Sequence, residues 1–228
     1  MFALCKNYKP VDHELTNMKF SFSRLNISIF LIWLFHLTGI LGIYLGYQDW
    51  FISLSPLTLG LCMALVILDI PDKKTIDILL LGFVCLLGFT AEYLGVKYGV
   101  IFGEYAYGKS LGTQVGNVPL MMGINWGLII YAGASMCNSF VKNIFWSSAL
   151  SSIFMVALDV LIEKSAPRFD YWMFKNNQVP LQNYLAWLVI GFALNYFFHK
   201  YYVKLNAKLG LHLYLAMFVF FLAFYFKF

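Results

Sequence analysis

Seven times along this chain a run of about 17–23 residues passes with almost no charge, the length a helix needs to cross roughly 30 Å of hydrocarbon. The runs fall at about 25–47, 54–70, 76–96, 118–137, 143–162, 183–203 and 210–226. Inside a bilayer only helices and closed barrels satisfy their own backbone hydrogen bonds. Uninterrupted apolar runs lack the alternation of a barrel strand. The pattern therefore predicts an all-α, polytopic transmembrane helix bundle of about seven spans. Composition agrees, with 61% of the 228 residues apolar and 12% charged, against about 45–50% and about 25% in ordinary soluble domains. A soluble globular domain is excluded.

The net charge of +5 sits mainly between the apolar runs. That distribution suits lipid headgroups and orientation in a bilayer, not nucleic acid. Ten Lys and Arg residues fall on the side of the N-terminus and six opposite. The positive-inside rule then predicts a cytoplasmic N-terminal segment over 1–24 and a single transmembrane domain over 25–228, multi-pass in the cytoplasmic (inner) membrane. This orientation needs the short second run, whose start Pro56 marks. The first 24 residues are too polar for a cleaved leader, so the first span is expected to be retained. The four cysteines are scattered and form neither a disulfide framework nor a metal-ligand spacing. In the first run Gly39, Gly42 and Gly46 offer small positions for close helix packing.

Two segments echo one another. Glu92 lies near the end of the third run; ten residues later comes Phe102-Gly103-Glu104-Tyr105, then Val118-Pro119-Leu120 and Trp126. Asp159 lies near the end of the fifth; ten residues later comes Phe169-Asp170-Tyr171-Trp172, then Val179-Pro180-Leu181 and Trp187. In both units Trp follows Pro by seven residues. This is an internal helix-loop-helix repeat, with each proline expected in the first turn of its following helix. The long joins, 97–117 and 163–182, lie on one face of the membrane.

The repeat brings Glu92 and Asp159 to one depth near one face. Two readings follow. Either both acids lie among headgroups, solvated or paired with Lys97 and Lys164, or they share a polar pocket beneath the long loops and trade protons there. A short acid cannot snorkel, and on insertion scales each costs about 2.5–3.5 kcal/mol at mid-membrane. Elsewhere, His36 suits a hydrogen bond to a neighbouring helix, and Asn125 and Asn195 suit interhelical bonds. Asp69, Asp72 and Asp77 suit a solvated turn, and His199 an interfacial anchor. No metal, nucleotide or acyl-transfer motif is present. Aromatic residues, 19% of the chain, concentrate in the two loops and suit a long apolar ligand.

The stretch from Glu92 through Tyr107, with Val118-Pro-Leu and Trp126, resembles the carotenoid-biosynthesis family of membrane hydratases. So does Ala157-Leu-Asp159, with Phe169–Trp172 and Val179-Pro-Leu-Gln-Asn-Tyr-Leu-Ala-Trp187. The likeness covers about residues 75–192. It implies addition of water to the terminal 1,2 double bond of an acyclic carotenoid ψ-end, without a cofactor or metal. On this likeness Glu92 and Asp159 are the expected acid/base pair, with Asp170 and Glu104 as loop candidates for orienting water or replacing one of them. Phe102, Tyr105, Tyr107, Trp126, Phe169, Trp172 and Trp187 are expected to line the substrate site. The implied partners are an acyclic carotenoid, the lipid bilayer and other enzymes of the pathway. Two rival readings use the same residues: isomerisation or cyclisation of another isoprenoid through the same protonated alkene, and a non-enzymatic binding or transport protein.

Overall fold

A computed structural model describes residues 23–201 and 205–227. All but the last two residues of the N-terminal segment expected over 1–24 lie outside that range. The described chain is an all-α membrane bundle. Its helices are α1 (Arg24–Tyr44), α2 (Gln48–Ser53), α3 (Ser55–Leu68), α4 (Thr75–Tyr98), α5 (Leu120–Asn138), α6 (Ile144–Ser165), α7 (Leu181–Tyr201) and α8 (Ala207–Tyr225). Five of them, α1, α4, α5, α6 and α8, are long and apolar enough to cross a membrane. Helix α3 has 14 residues, and α7 has the length but carries Asn183, Asn195, His199 and Lys200.

Helix α5 forms the centre. It packs on α3, α4, α6, α7 and α8 and is buried almost continuously from Met122 to Cys137. Its small residues allow this approach, since helices in lipid gain no hydrophobic driving force against one another and rely on close packing. Against it α4 brings Gly88, where a Cβ would lie 2.4 Å from Cβ of Trp126.

Several local expectations change. The first run ends at Tyr44, and α2 folds in as a separate short helix. Gly39 faces the ring of Phe220, Gly42 accommodates the ring of Phe51, and Gly46 turns the chain at φ +95°. The glycines of the first run thus admit aromatic rings and a turn instead of a second helix backbone. Pro119 and Pro180 stand immediately before α5 and α7, one position earlier than the expected first turn. Asp69 is buried, not solvated, and accepts from Nε of Arg24 at 3.0 Å, tying the end of α3 to the start of α1. Asp77 caps the start of α4 through the Lys74 N–H at 2.8 Å.

The two long loops carry short strands: β1 (Tyr105–Tyr107), β2 (Gln114–Val115), β3 (Val118–Pro119) and β4 (Trp172–Phe174). Strands β2 and β3 form a local hairpin, whereas β1 pairs with β4 across the repeat. Gly88→Ala is expected to destabilise the bundle by about 1–3 kcal/mol through overpacking against Trp126. Gly82→Ala, on the same helix with open space at its Cβ, should lose nothing. Reversible unfolding of the two variants in mixed micelles compares them directly.

Candidate active site

The pairing of β1 with β4 is antiparallel, with Tyr105 opposite Phe174, Ala106 opposite Met173 and Tyr107 opposite Trp172. One offset of 67 residues relates Glu92 to Asp159, Phe102 to Phe169 and Tyr105 to Trp172. Under that offset Tyr107 corresponds to Phe174. The offset therefore maps the Tyr105–Phe174 pair onto Trp172–Tyr107 and the Ala106–Met173 pair onto itself, as a local twofold axis between Ala106 and Met173 requires. The strap has two further backbone bonds, from Gly108 N–H to Tyr171 and from Lys175 N–H to Glu104, each 2.9 Å. Beneath it Trp126 and Trp187, the matching residues of the two units, stack with centroids 4.2 Å apart and planes 12° from parallel.

Glu92 and Asp159 are 3% and 1% exposed, so neither is solvated. Lys97 and Lys164 are not their partners; their ammonium groups lie over tyrosine rings, 5.2 Å from Tyr98 and 5.8 Å from Tyr225. Hydrogen-bond donors surround Glu92 instead. Tyr105 and Tyr107 donate their hydroxyls to Oε2 at 2.6 and 2.7 Å, and Trp126 donates Nε1–H to Oε1 at 2.9 Å. Burial first, then the Glu92 carboxylate, push both tyrosine phenols far above their ordinary value. They remain O–H donors throughout the physiological range.

A third acid completes the cluster. Helix α6 runs to Ser165, beyond the expected end at 162, and so takes in Glu163, one turn after Asp159 and 8% exposed. Asn183 of α7 donates Nδ2–H to both acids, at 2.8 Å to Asp159 Oδ2 and 3.3 Å to Glu163 Oε1. Trp172 donates Nε1–H to Glu163 Oε2 at 3.1 Å. Oδ1 of Asp159 is buried without a hydrogen-bond partner among the described residues. Glu92 is near enough to interact electrostatically with both α6 acids. Among the described residues none of the three forms an ion pair, and no three His, Cys, Asp or Glu side chains converge as metal ligands.

The remaining expected residues divide. Phe102 is buried between Tyr105 and Trp126, with ring centroids 6.1 and 6.5 Å away. Phe169 packs on Phe224 of α8 at 5.1 Å. Glu104 and Asp170 are not brought to the cluster. Successive strand side chains point to opposite faces, so with Tyr105 and Tyr107 turned inward, Glu104 is turned out. It meets the exposed Lys175 at 2.6 Å. Asp170 is exposed and stands in the turn before β4, at φ +52°. There it accepts the Lys109 N–H at 2.7 Å and clips one loop to the other. Sequence reasoning missed Glu163 and Asn183. The signal for Glu163 was its i, i+4 spacing from Asp159, which puts both acids on one helical face.

The family model described as carotenoid biosynthesis protein matches residues 52–227. Bisanhydrobacterioruberin hydratase of Haloarcula japonica is 25% identical over 166 residues, covering 67% of this chain and 54% of that protein. The matched stretch spans about half the length of that relative. No solved structure matches the chain.

The strap predicts a cross-link. Opposed residues in an antiparallel pair have Cα atoms about 4.5–5.5 Å apart, inside the disulfide window of about 4.4–6.8 Å. Ala106→Cys with Met173→Cys should oxidise to a disulfide, and Ala106→Cys with Asn177→Cys should not. Mass spectrometry of proteolytic peptides reads the outcome; absence of the first cross-link would remove the strap.

Proposed function

The chain belongs to the carotenoid biosynthesis protein family, and from that premise we propose that it is a hydratase. It adds water to the terminal 1,2 double bond of an acyclic carotenoid ψ-end, by acid/base catalysis and without a cofactor. The observation that carries this reading is the cluster of Glu92, Asp159 and Glu163, buried together without a cation partner among the described residues. The name hydratase borne by the Haloarcula relative supports it.

A trisubstituted alkene offers no carbonyl to polarise and no leaving group, so it needs a positioned proton. Hydrogen-bond accounting supports a division of roles. Both oxygens of Glu92 already accept bonds, one of them from an indole N–H that can only donate. Glu92 therefore acts as the carboxylate. Asp159 and Glu163 share one amide donor between them, and Oδ1 of Asp159 accepts nothing from the described residues. That oxygen carries the catalytic proton, which two neighbouring acids hold more easily than two charges.

In the first step the Asp159 O–H bond breaks and its proton bonds to C2 as the π bond opens, leaving a tertiary cation at C1. The Glu92 carboxylate and the faces of Tyr105, Tyr107 and Trp172 stabilise that cation. Water then forms the C1–O bond as one of its O–H bonds breaks, and that proton passes through Glu92 back to the Asp159 carboxylate. One proton has been given and one taken, so the site returns to its starting state. Asn183 and Trp172 act as positioning residues by holding Glu163 beside Asp159.

Expression in a lycopene-accumulating host tests the reading, because hydration adds the mass of water to the pigment and isomerisation adds none. Glu92→Gln and Asp159→Asn should each lower hydration by about 100- to 10,000-fold, the usual range for losing a general acid or base. Full activity in both variants would defeat the assignment.

A further inference from the structure

Beside the carboxyl cluster lies a cavity of about 360 Å³ between α1, α3, α5 and α8. Two residues of its wall tie it to the acids. Trp172 lines the cavity while its N–H holds Glu163 at 3.1 Å. Ile162 lines it too, and its i, i+3 spacing from Asp159 puts the two on one face of α6. At the rim stand Thr38 of α1 and Trp50 of α2, both exposed. Leu34, Leu41 and Leu57, on the same two helices as the rim and on α3, are exposed as well. Large apolar side chains on the outside of a membrane bundle face lipid, so the mouth of the cavity opens toward the bilayer.

The wall suits an unsaturated hydrocarbon. Thr38 and Thr58 donate their hydroxyls to carbonyls of their own helices, those of Leu34 and Leu54. Ser55 and Tyr171 bond each other at 2.6 Å. Phe35, Phe51, Phe220 and Phe221 add their rings to those of Trp50 and Trp172. Such π faces attract another π system beyond what area burial gives, an advantage a saturated acyl chain does not share. On the α1 side the wall is held back by Gly39. A Cβ there would lie 3.2 Å from Cε2 of Phe220 on α8, so a longer side chain would cross the space between the two helices.

We propose that the reacting end of the polyene enters this cavity end-on from the bilayer, past Thr38 and Trp50, and that Gly39 keeps the passage open. The volume stands near the lower limit for small-ligand pockets. Terminal isoprenoid units fill it, and the rest of the chain stays in lipid. The proposal rests on the reading of the chain as acting on acyclic carotenoids, and it adds the route by which that substrate arrives and the residue that sets the width of the route.

Thiol protection in phosphatidylcholine nanodiscs tests the passage apart from turnover. Thr38→Cys should react with N-ethylmaleimide about tenfold more slowly when lycopene is present at about ten times its dissociation constant. Ile153→Cys, exposed on α6 and outside the cavity, should react at one rate with and without lycopene. Phospholipid is in excess throughout, so protection means that the polyene displaces acyl chains. Adding Gly39→Phe to the Thr38→Cys protein should remove the protection. Should that variant fail to fold, Leu59→Trp fills the cavity from α3 and makes the same comparison. Equal Thr38→Cys rates with and without lycopene, or protection that survives in a folded Gly39→Phe or Leu59→Trp variant, would overturn the proposal. Protection without hydration of lycopene in the expression host would instead sink the hydratase reading and leave the passage standing, whereas hydration without protection would do the reverse.

Discussion

A carboxyl group withdrawn from water must find donors in the protein or become a heavy liability, and here three do so in one cluster. That requirement explains features that otherwise look unrelated. Loop tyrosines turn inward because Glu92 needs hydroxyls; Trp126 turns its N–H toward α4 for the same reason; Asn183 occupies the first turn of α7 because two acids of α6 face it. The strap of β1 and β4 holds these donors where the acids can use them. Packing around the cluster is subordinate to that polar arrangement.

The strand pairing gives the repeat a physical meaning. An antiparallel ladder is its own image under a twofold rotation, so two copies of one loop can pair with each other only in a register that maps each onto the other. The observed register does so, and the stacked Trp126 and Trp187 lie on the same relation. The twofold is broken in two places. The first loop is longer by six residues and folds into the β2–β3 hairpin. The second unit carries Glu163 where the 67-residue offset places Val96 in the first. Identical halves would give two equivalent acids; the added carboxyl gives one side two acids that share an amide donor and leaves the other a single acid within a cage of donors. In the proposed reaction, division of labour between acid and base follows from that asymmetry.

Much of this was legible in the chain. Apolar run length located the helices, because hydrocarbon thickness sets it, and the matched spacings around Glu92 and Asp159 pointed to a shared depth. What escaped depended on helix ends. A run measured by hydropathy stops at its first charge, so α6 was cut at 162 and Glu163 was left in a loop. The Glu-Tyr-Ala-Tyr alternation at 104–107 is a strand pattern that turns Glu104 outward, yet four residues among many aromatics do not announce a strand. The small positions of α1 were read as a helix crossing because a glycine does not reveal whether a backbone or a ring will fill its space. The pairing of β1 with β4 joins segments far apart in the chain, and no local pattern specifies it.

Each acid finds its donors within its own hairpin. Tyr105, Tyr107 and Trp126 belong to the α4–α5 unit with Glu92, while Trp172 and Asn183 belong to the α6–α7 unit with Asp159 and Glu163. Either pair of helices therefore carries into the bilayer the donors that its own acids use, and the strap fixes them in place once the twin has been made. Joining the two then asks only for strand edges, stacked rings and apolar surface, none of which has to be rescued from lipid in the meantime.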